Sequence, residues 1–182
     1  ETRAGFFVGP QSRLGLDTAE LAAVEGADDV HGLHLYAGTD ILDLGYFEAA
    51  YRALVELVPR FPALRYLDLG GGFGVPGPGQ APFDFEGYGA LVDDVMTEAS
   101  RLAGHRLTLV LEPGRIVGAE AGVFVCRVTD LKRRCDRQLV GVDASSAQFP
   151  RPLLYPDAAL HPHALIPADG RSTDAQQPSQ VY

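Results

Sequence analysis

Short apolar runs alternate with longer stretches of helical periodicity through the first two thirds of the chain. Three of the apolar runs have strand length and end in glycine or in a Pro-Gly pair, which is typical of strands that run into tight loops. The predicted strands lie within residues 30–38, 64–72 and 107–115. The third run is continuous rather than alternating, which predicts a strand buried on both faces.

Three segments have the apolar spacing or the capping signals of amphipathic helices. They are residues 17–27, 43–61 and 87–104. Asp17 or Thr18 is expected at the N-cap of the first helix, with Glu20 in its first turn. Gly104 is expected to end the last helix, since glycine accepts the left-handed backbone found there.

Strands that alternate with helices predict a parallel α/β arrangement. The pattern changes after the third strand, because residues 121–144 predict two strands with no helix between them. We therefore expect a boundary near Glu120, with an α/β part at residues 1–120 and a β-rich part at 121–182. Residues 167–182 are polar and contain proline, which predicts a loop. Three strand–helix units do not close an eight-fold barrel, so we expect a portion of a longer protein.

Composition and charge narrow the class of protein. The chain has 182 residues and a formal net charge of −9, which argues against a nucleic-acid partner or an anionic membrane surface. No apolar run approaches the roughly 18 residues of a membrane span, and no signal peptide is visible. Two cysteines make neither a disulfide framework nor a metal set, so a cytoplasmic protein without a structural metal is expected.

Each predicted strand ends in a loop with candidate chemistry: YAGTD, GGGFG and EPGR. The carboxyl ends of parallel strands meet at one edge, where α/β proteins bind ligands. Gly70, Gly71 and Gly72 would allow backbone N–H groups to approach a phosphate. Two alternatives stay open for this loop. It is either a tight turn without a ligand, or the first motif of S-adenosylmethionine-dependent methyltransferases, which LDLGGGFG also resembles.

The third loop places a carboxylate and a guanidinium at the end of a predicted buried strand. Burying a carboxylate is costly unless it has a partner, so Glu112 is a candidate to hold the protonated nitrogen of a pyridine ring. Arg115 would then reach a phosphate. The alternative is an ion pair between Glu112 and Arg115 without a ligand.

The first loop contributes aromatic and hydroxyl groups. His34 and Tyr36 are two residues apart and are expected on the same face of a strand, where one of them would stack on a flat ring. A core histidine bonded to backbone is the favoured alternative for His34. The Thr39 hydroxyl or the Gly38 N–H would meet a phosphate.

Six motifs occur in an order that resembles the fold-type III PLP-dependent decarboxylases, which act on diaminopimelate, ornithine or arginine. They are SRLGLD, GLHLYAGTDILD, LDLGGGFGVP, LVLEPGRIVGAEAGVFVCRV, VGVDA and RPLLY. The resemblance implies the C-terminal part of an alanine-racemase-like (β/α)8 TIM barrel followed by the start of a β-rich domain. It also implies pyridoxal 5′-phosphate (PLP) as cofactor and a homodimer with shared active sites.

The resemblance assigns roles to individual residues. Glu112 and Tyr36 are expected to be catalytic, Glu112 on the pyridine nitrogen and Tyr36 stacked on the ring, where the family usually has a histidine. The expected cofactor-binding residues are Tyr36, Gly38, Thr39, Gly70, Gly71, Gly72, Glu112, Gly114 and Arg115.

Substrate preference is predicted from RPLLYPD. In diaminopimelate-type members an arginine in this motif binds the distal carboxylate, and Arg151 matches it. Ornithine-type members have an aspartate directly after the Leu-Tyr pair, where this chain has Pro156. We therefore expect Arg151 and Tyr155 to bind an amino acid with a distal carboxylate or carbonyl group, such as diaminopimelate or a glutamate derivative, free or attached to a carrier. A surface role for Arg151 is the alternative.

The lysine that attaches PLP is not evident. The only lysine, Lys132, lies in the predicted β-rich part, where a solvated charge on an edge strand is the simpler interpretation. In the family the attaching lysine precedes the segment matched here. The expected function is PLP-dependent decarboxylation of an amino acid, with a catalytically inactive regulatory paralogue and a methyltransferase as alternatives.

Overall fold

The computed structural model describes residues 14–77, 79–135, 137–154, 164–167 and 179–181. The chain divides into two compact units, Glu1–Ala121 and Gly122–Tyr182. This division lies beside the boundary expected near Glu120. The assignment of the units to a barrel and to a separate β-rich domain stays a prediction.

The first unit is built on a three-stranded parallel sheet. Its strands are β1 (Gly32–His34), β2 (Tyr66–Gly71) and β3 (Thr108–Glu112), in that spatial order. Leu33 lies opposite Leu67, and Leu67 lies opposite Leu109, so apolar side chains form a row across the sheet. The predicted parallel α/β arrangement is confirmed for this part of the chain.

Three helices accompany the sheet: α1 (Thr18–Val24), α2 (Leu44–Val55) and α3 (Phe85–Ala103). The Asp17 side chain caps α1 by accepting the Glu20 N–H, and the Glu20 carboxylate accepts the Asp17 N–H in return. Gly104 follows α3 with φ 75°, as predicted for a left-handed helix end. Short 3₁₀ turns follow α2 at Val58–Arg60 and β3 at Gly114–Val117.

Aromatic side chains form the centre of the core between α2, α3 and the loop after β2. Their ring centroids lie 4.9–6.3 Å apart in mostly tilted and edge-to-face pairs, the favourable geometries for aromatic rings. The members of this cluster are Phe47, Tyr51, Phe73, Phe83 and Tyr88. Since Phe73 belongs to the loop that follows β2, the core fixes the course of that loop.

Two hydroxyl groups lie inside this apolar cluster. The phenol oxygens of Tyr51 and Tyr88 are 2.9 Å apart, so each buried hydroxyl has the other as its hydrogen-bond partner. Burial raises the pKa of both phenols above the ordinary value, and the shared hydrogen bond contributes to the rise at Tyr51. The pair therefore stays uncharged at physiological pH.

The predicted burial of the third strand is wrong for the described structure. Leu109, Val110 and Leu111 are each exposed by more than a third, although they alternate between the two faces of β3. The physical reason is position, because β3 is an edge strand of its sheet and no described element of its unit covers it. The first strand is also shorter than the apolar run at 30–38 predicts, and the chain leaves the ladder after His34.

The second unit contains another three-stranded sheet. β4 (Val128–Arg134) and β5 (Arg137–Val142) are the two predicted strands, and the structure pairs them antiparallel. β6 (Ser179–Val181) pairs in parallel with β5. A four-residue helix, α4, spans Arg151–Leu154. The prediction of a loop throughout 167–182 is wrong at β6, because backbone pairing with β5 decides the conformation there rather than local composition.

None of the helices in the described ranges has both the length and the apolar character needed to cross a bilayer.

We expect the Tyr51–Tyr88 hydroxyl pair to stabilise the fold as a unit. Tyr51→Phe should lower the free energy of unfolding by about 1–3 kcal/mol, because it leaves the buried Tyr88 hydroxyl without its partner. The double variant Tyr51→Phe/Tyr88→Phe should recover most of that loss, since both polar groups are then gone. Denaturant titration of the four proteins in a double-mutant cycle measures the coupling, and additive losses would contradict it.

Candidate active site

The loops that follow β1, β2 and β3 line an open cavity of about 200 Å³ at the carboxyl edge of the sheet. Its lining consists of Tyr36, Gly38, Thr39, Gly72, Phe73, Glu112, Pro113, Gly114 and Arg115. Seven of the nine predicted cofactor-binding residues thus meet around one cavity, and Gly70 and Gly71 do not line it. Sequence reasoning missed Phe73, which directly follows Gly72, and Pro113, which stands between Glu112 and Gly114.

The glycine run has a packing role that its sequence does not reveal. A Cβ on Gly70 would lie 2.2 Å from the Leu35 carbonyl oxygen, and one on Gly71 would lie 1.8 Å from the Glu112 carbonyl oxygen. Both distances are far inside van der Waals contact, so these two glycines allow the ends of β1 and β3 to approach β2. Gly70 also has φ +66°, which disfavours any other residue.

Gly72 combines close packing with a place on the cavity wall. It has φ +89°, and a Cβ there would lie 2.2 Å from the carbonyl oxygen of Gly38, which lines the same cavity. Gly114, on the opposite loop, has φ +58° with no atom within 4 Å of a Cβ position. The space beside Gly114 is open, so its requirement for glycine is conformational rather than steric.

Arg115 forms an ion pair with Asp40, the residue directly after Thr39. The alternative of an ion pair between Glu112 and Arg115 is therefore not what the structure shows. Asp40 has φ 58°, a left-handed conformation that aspartate tolerates better than most side chains. The pair joins the first and third loops and holds the guanidinium at the cavity wall.

Glu112 contacts His34 rather than Arg115. The His34 Nε2 lies 3.3 Å from a Glu112 carboxylate oxygen, and the two side chains are 52% and 55% exposed. The interpretation of His34 as a core histidine is wrong, because its side chain is half exposed and contacts the Glu112 carboxylate at the end of β3. His34, Asp68 and Glu112 bring one polar atom each within 4.8 Å of one another.

The predicted substrate residues and the single lysine belong to the second unit. Arg151 is half-buried at the first position of α4, and Tyr155 lies outside the described residues. Lys132 is exposed on β4, an edge strand, with its ammonium 3.1 Å from the Asp130 carboxylate. This matches the interpretation of Lys132 as a solvated charge.

The donor set of the cavity fits a phosphorylated pyridine. Arg115 and the Thr39 hydroxyl offer charged and neutral donors to an anion, and the wall there contains Gly72 and Gly114, which let backbone approach it. Glu112 supplies a carboxylate to a cationic ring nitrogen, and Tyr36 supplies an aromatic face. An anion site and a carboxylate in one small cavity match the two charged ends of PLP.

A sequence model described as "Pyridoxal-dependent decarboxylase, pyridoxal binding domain" matches residues 13–119. Diaminopimelate decarboxylase of Actinosynnema pretiosum subsp. auranticum is 38% identical over 127 residues, which are 68% of this chain and 29% of the relative. Diaminopimelate decarboxylase of Escherichia coli strain K12 is 31% identical over 173 residues, 91% of this chain and 40% of the relative.

Structural similarity extends over both units. A crystal structure of diaminopimelate decarboxylase superposes with a TM-score of 0.79 at 29% sequence identity, covering 95% of this chain and 42% of that protein. The chain thus spans less than half the length of each of these proteins.

The packing role of the glycine run predicts opposite effects for two glycine substitutions. Gly71→Ala should lower the free energy of unfolding by about 1–3 kcal/mol, because the added methyl group meets the Glu112 carbonyl and must push β3 away. Gly89→Ala, in the interior of α3 with open space around it, should raise it by about 0.5–1 kcal/mol. Urea denaturation of both variants measures the difference. An unchanged free energy of unfolding for Gly71→Ala would contradict the packing role of the glycine run.

Proposed function

Because the chain belongs to the pyridoxal-dependent decarboxylase family, through that family's pyridoxal-binding domain, we propose that its protein removes the α-carboxylate of an amino acid as carbon dioxide. The observation that carries the proposal is the cavity at the strand ends, where Thr39, Glu112 and Arg115 come together from two loops. The methyltransferase alternative is set aside, since the family match includes the glycine run that had left it open.

In the proposed site, Arg115, Thr39 and the backbone near Gly72 and Gly114 bind the phosphate of PLP. Glu112 faces the ring nitrogen and keeps its proton in place, since a carboxylate stabilises the charged pyridinium. Tyr36 lies against the ring. When bound, the cofactor supplies the electron sink that accepts the electron pair left by the departing carboxylate. The ion pair with Asp40 keeps Arg115 at the phosphate end.

The proposed substrate carries a second carboxylate or a carbonyl group at its far end. Arg151 in RPLLY is the proposed partner of that group, with Tyr155 beside it in the motif. The named function of the two relatives, diaminopimelate decarboxylase, supports the same substrate class. The proposal includes a homodimer with shared active sites, as the family resemblance implies.

Covalent trapping of the cofactor tests the proposal directly. We expect borohydride reduction of the full protein in the presence of PLP to leave a pyridoxyl group on one lysine other than Lys132, because Lys132 is paired with Asp130 on β4. Peptide mapping by mass spectrometry identifies the position. The same protein should release carbon dioxide from diaminopimelate faster than from ornithine. Absence of any pyridoxyl-lysine would overturn the proposal, and equal rates would overturn the substrate class.

The role of Glu112 predicts a loss of turnover without a loss of fold. Glu112→Ala should reduce kcat on the best substrate by at least 100-fold, because the ring nitrogen loses the carboxylate that stabilises its charge. Its stability should change little, since the Glu112 side chain is more than half exposed. Glu120→Ala removes an exposed glutamate that does not line the cavity and serves as the control. Near-normal turnover of Glu112→Ala would overturn the assignment of Glu112 to the ring nitrogen.

A further inference from the structure

Three polar side chains from the first three strands lie close together near the carboxyl edge of the sheet. His34 ends β1, Asp68 lies directly opposite it on β2, and Glu112 ends β3. Their polar atoms approach within 4.8 Å of one another, although β1 and β3 are not neighbours in the sheet. Of the three, only Glu112 lines the cavity. His34 and Asp68 can therefore affect a ligand in the cavity only by acting on Glu112.

The Glu112 carboxylate has one polar side-chain partner in the described part of the chain. That partner is His34, whose Nε2 lies 3.3 Å from a carboxylate oxygen. The Glu112 side chain has three rotatable bonds, sits on an edge strand and is more than half exposed. Without His34 it would be free to sample several rotamers, and fixing one of them on ligand binding costs side-chain entropy.

The direction of this contact follows from the chemistry of the two groups. An ionised carboxylate only accepts hydrogen bonds, so the contact is favourable when Nε2 of His34 carries its hydrogen. Asp68 is itself fixed, because its carboxylate accepts the Gly70 N–H at 2.9 Å. Asp68 thus limits the movement of the imidazole beside it, and the imidazole in turn restrains Glu112.

We propose that His34 is a positioning residue that orients the Glu112 carboxylate toward the ring nitrogen of the cofactor, with Asp68 supporting the imidazole. The proposal rests on the proposed function, in which Glu112 faces that nitrogen. His34 does not touch the cofactor in this assignment. Its effect must therefore pass through one atom of the ligand, the ring nitrogen, and this separates positioning from a general structural role.

Affinity for two ligands tests the assignment without relying on turnover. The full protein is titrated with PLP and with deazapyridoxal phosphate, in which a C–H group replaces the ring nitrogen. Titrations contain EDTA, so that a divalent cation at the same three side chains does not contribute. His34→Leu should weaken PLP binding about five- to tenfold, the value of one oriented contact to a charged group. It should change binding of the deaza ligand less than twofold.

Three variants serve as controls. His34→Gln keeps an N–H donor near the Nε2 position and should bind PLP within about twofold of the unchanged protein. His31→Leu removes the histidine just before β1, which contacts the Ala63 carbonyl and not Glu112. It should leave the ratio of the two affinities unchanged. In a Glu112→Gln background, His34→Leu should cause no further selective loss of PLP.

The outcomes distinguish a failure of the proposed function from a failure of the positioning role alone. If the unchanged protein binds neither ligand, the proposed function is overturned, and the positioning role falls with it. If the unchanged protein binds PLP but His34→Leu weakens both ligands equally, or neither, the positioning role alone is overturned. The same holds if His34→Gln is as weak as His34→Leu. Thermal unfolding midpoints of all variants show whether each is folded when its affinity is measured.

Discussion

The close approach of three strand ends is the constraint on which the rest of the first unit depends. Backbone carbonyls of Leu35, Gly38 and Glu112 occupy the positions where side chains of the glycine run would otherwise lie. The close packing of the strand ends brings the loops after β1, β2 and β3 around one cavity. The aromatic core fixes the loop after β2, because Phe73 of that loop belongs to the core. The candidate chemistry is a consequence of that packing, because the loops could not meet if β2 ended in larger residues.

The sequence predicts those features that depend on neighbours along the chain. The reciprocal cap between Asp17 and Glu20 is set by a spacing of three residues, and Gly104 ends its helix through its own backbone freedom. The alternation of strands and helices likewise determines that three loops share one edge of a parallel sheet. Seven of the nine predicted cofactor-binding residues meet there, because each lies at or just after the carboxyl end of one of these strands.

Contacts between segments that are distant in the sequence cannot be predicted from residue spacing in this way. The partner of Arg115 is Asp40 rather than the nearby Glu112, and the partner of Glu112 is His34. Both pairs join the first loop region to the third, so they depend on strand order and on the course of each backbone. The continuous apolar sequence of β3 predicted burial on both faces, yet exposure depends on what covers a strand and not on its own residues.

The ion pair between Arg115 and Asp40 has a consequence for how the cavity wall can interact with an anion. A guanidinium has five N–H donors in a planar fork, so Arg115 can keep Asp40 on one edge and receive an anion on another. An incoming anion must then interact well enough to outweigh repulsion from the aspartate. Because the two charges of the pair cancel, Arg115 and Asp40 together offer an anion hydrogen-bond donors rather than an excess of positive charge.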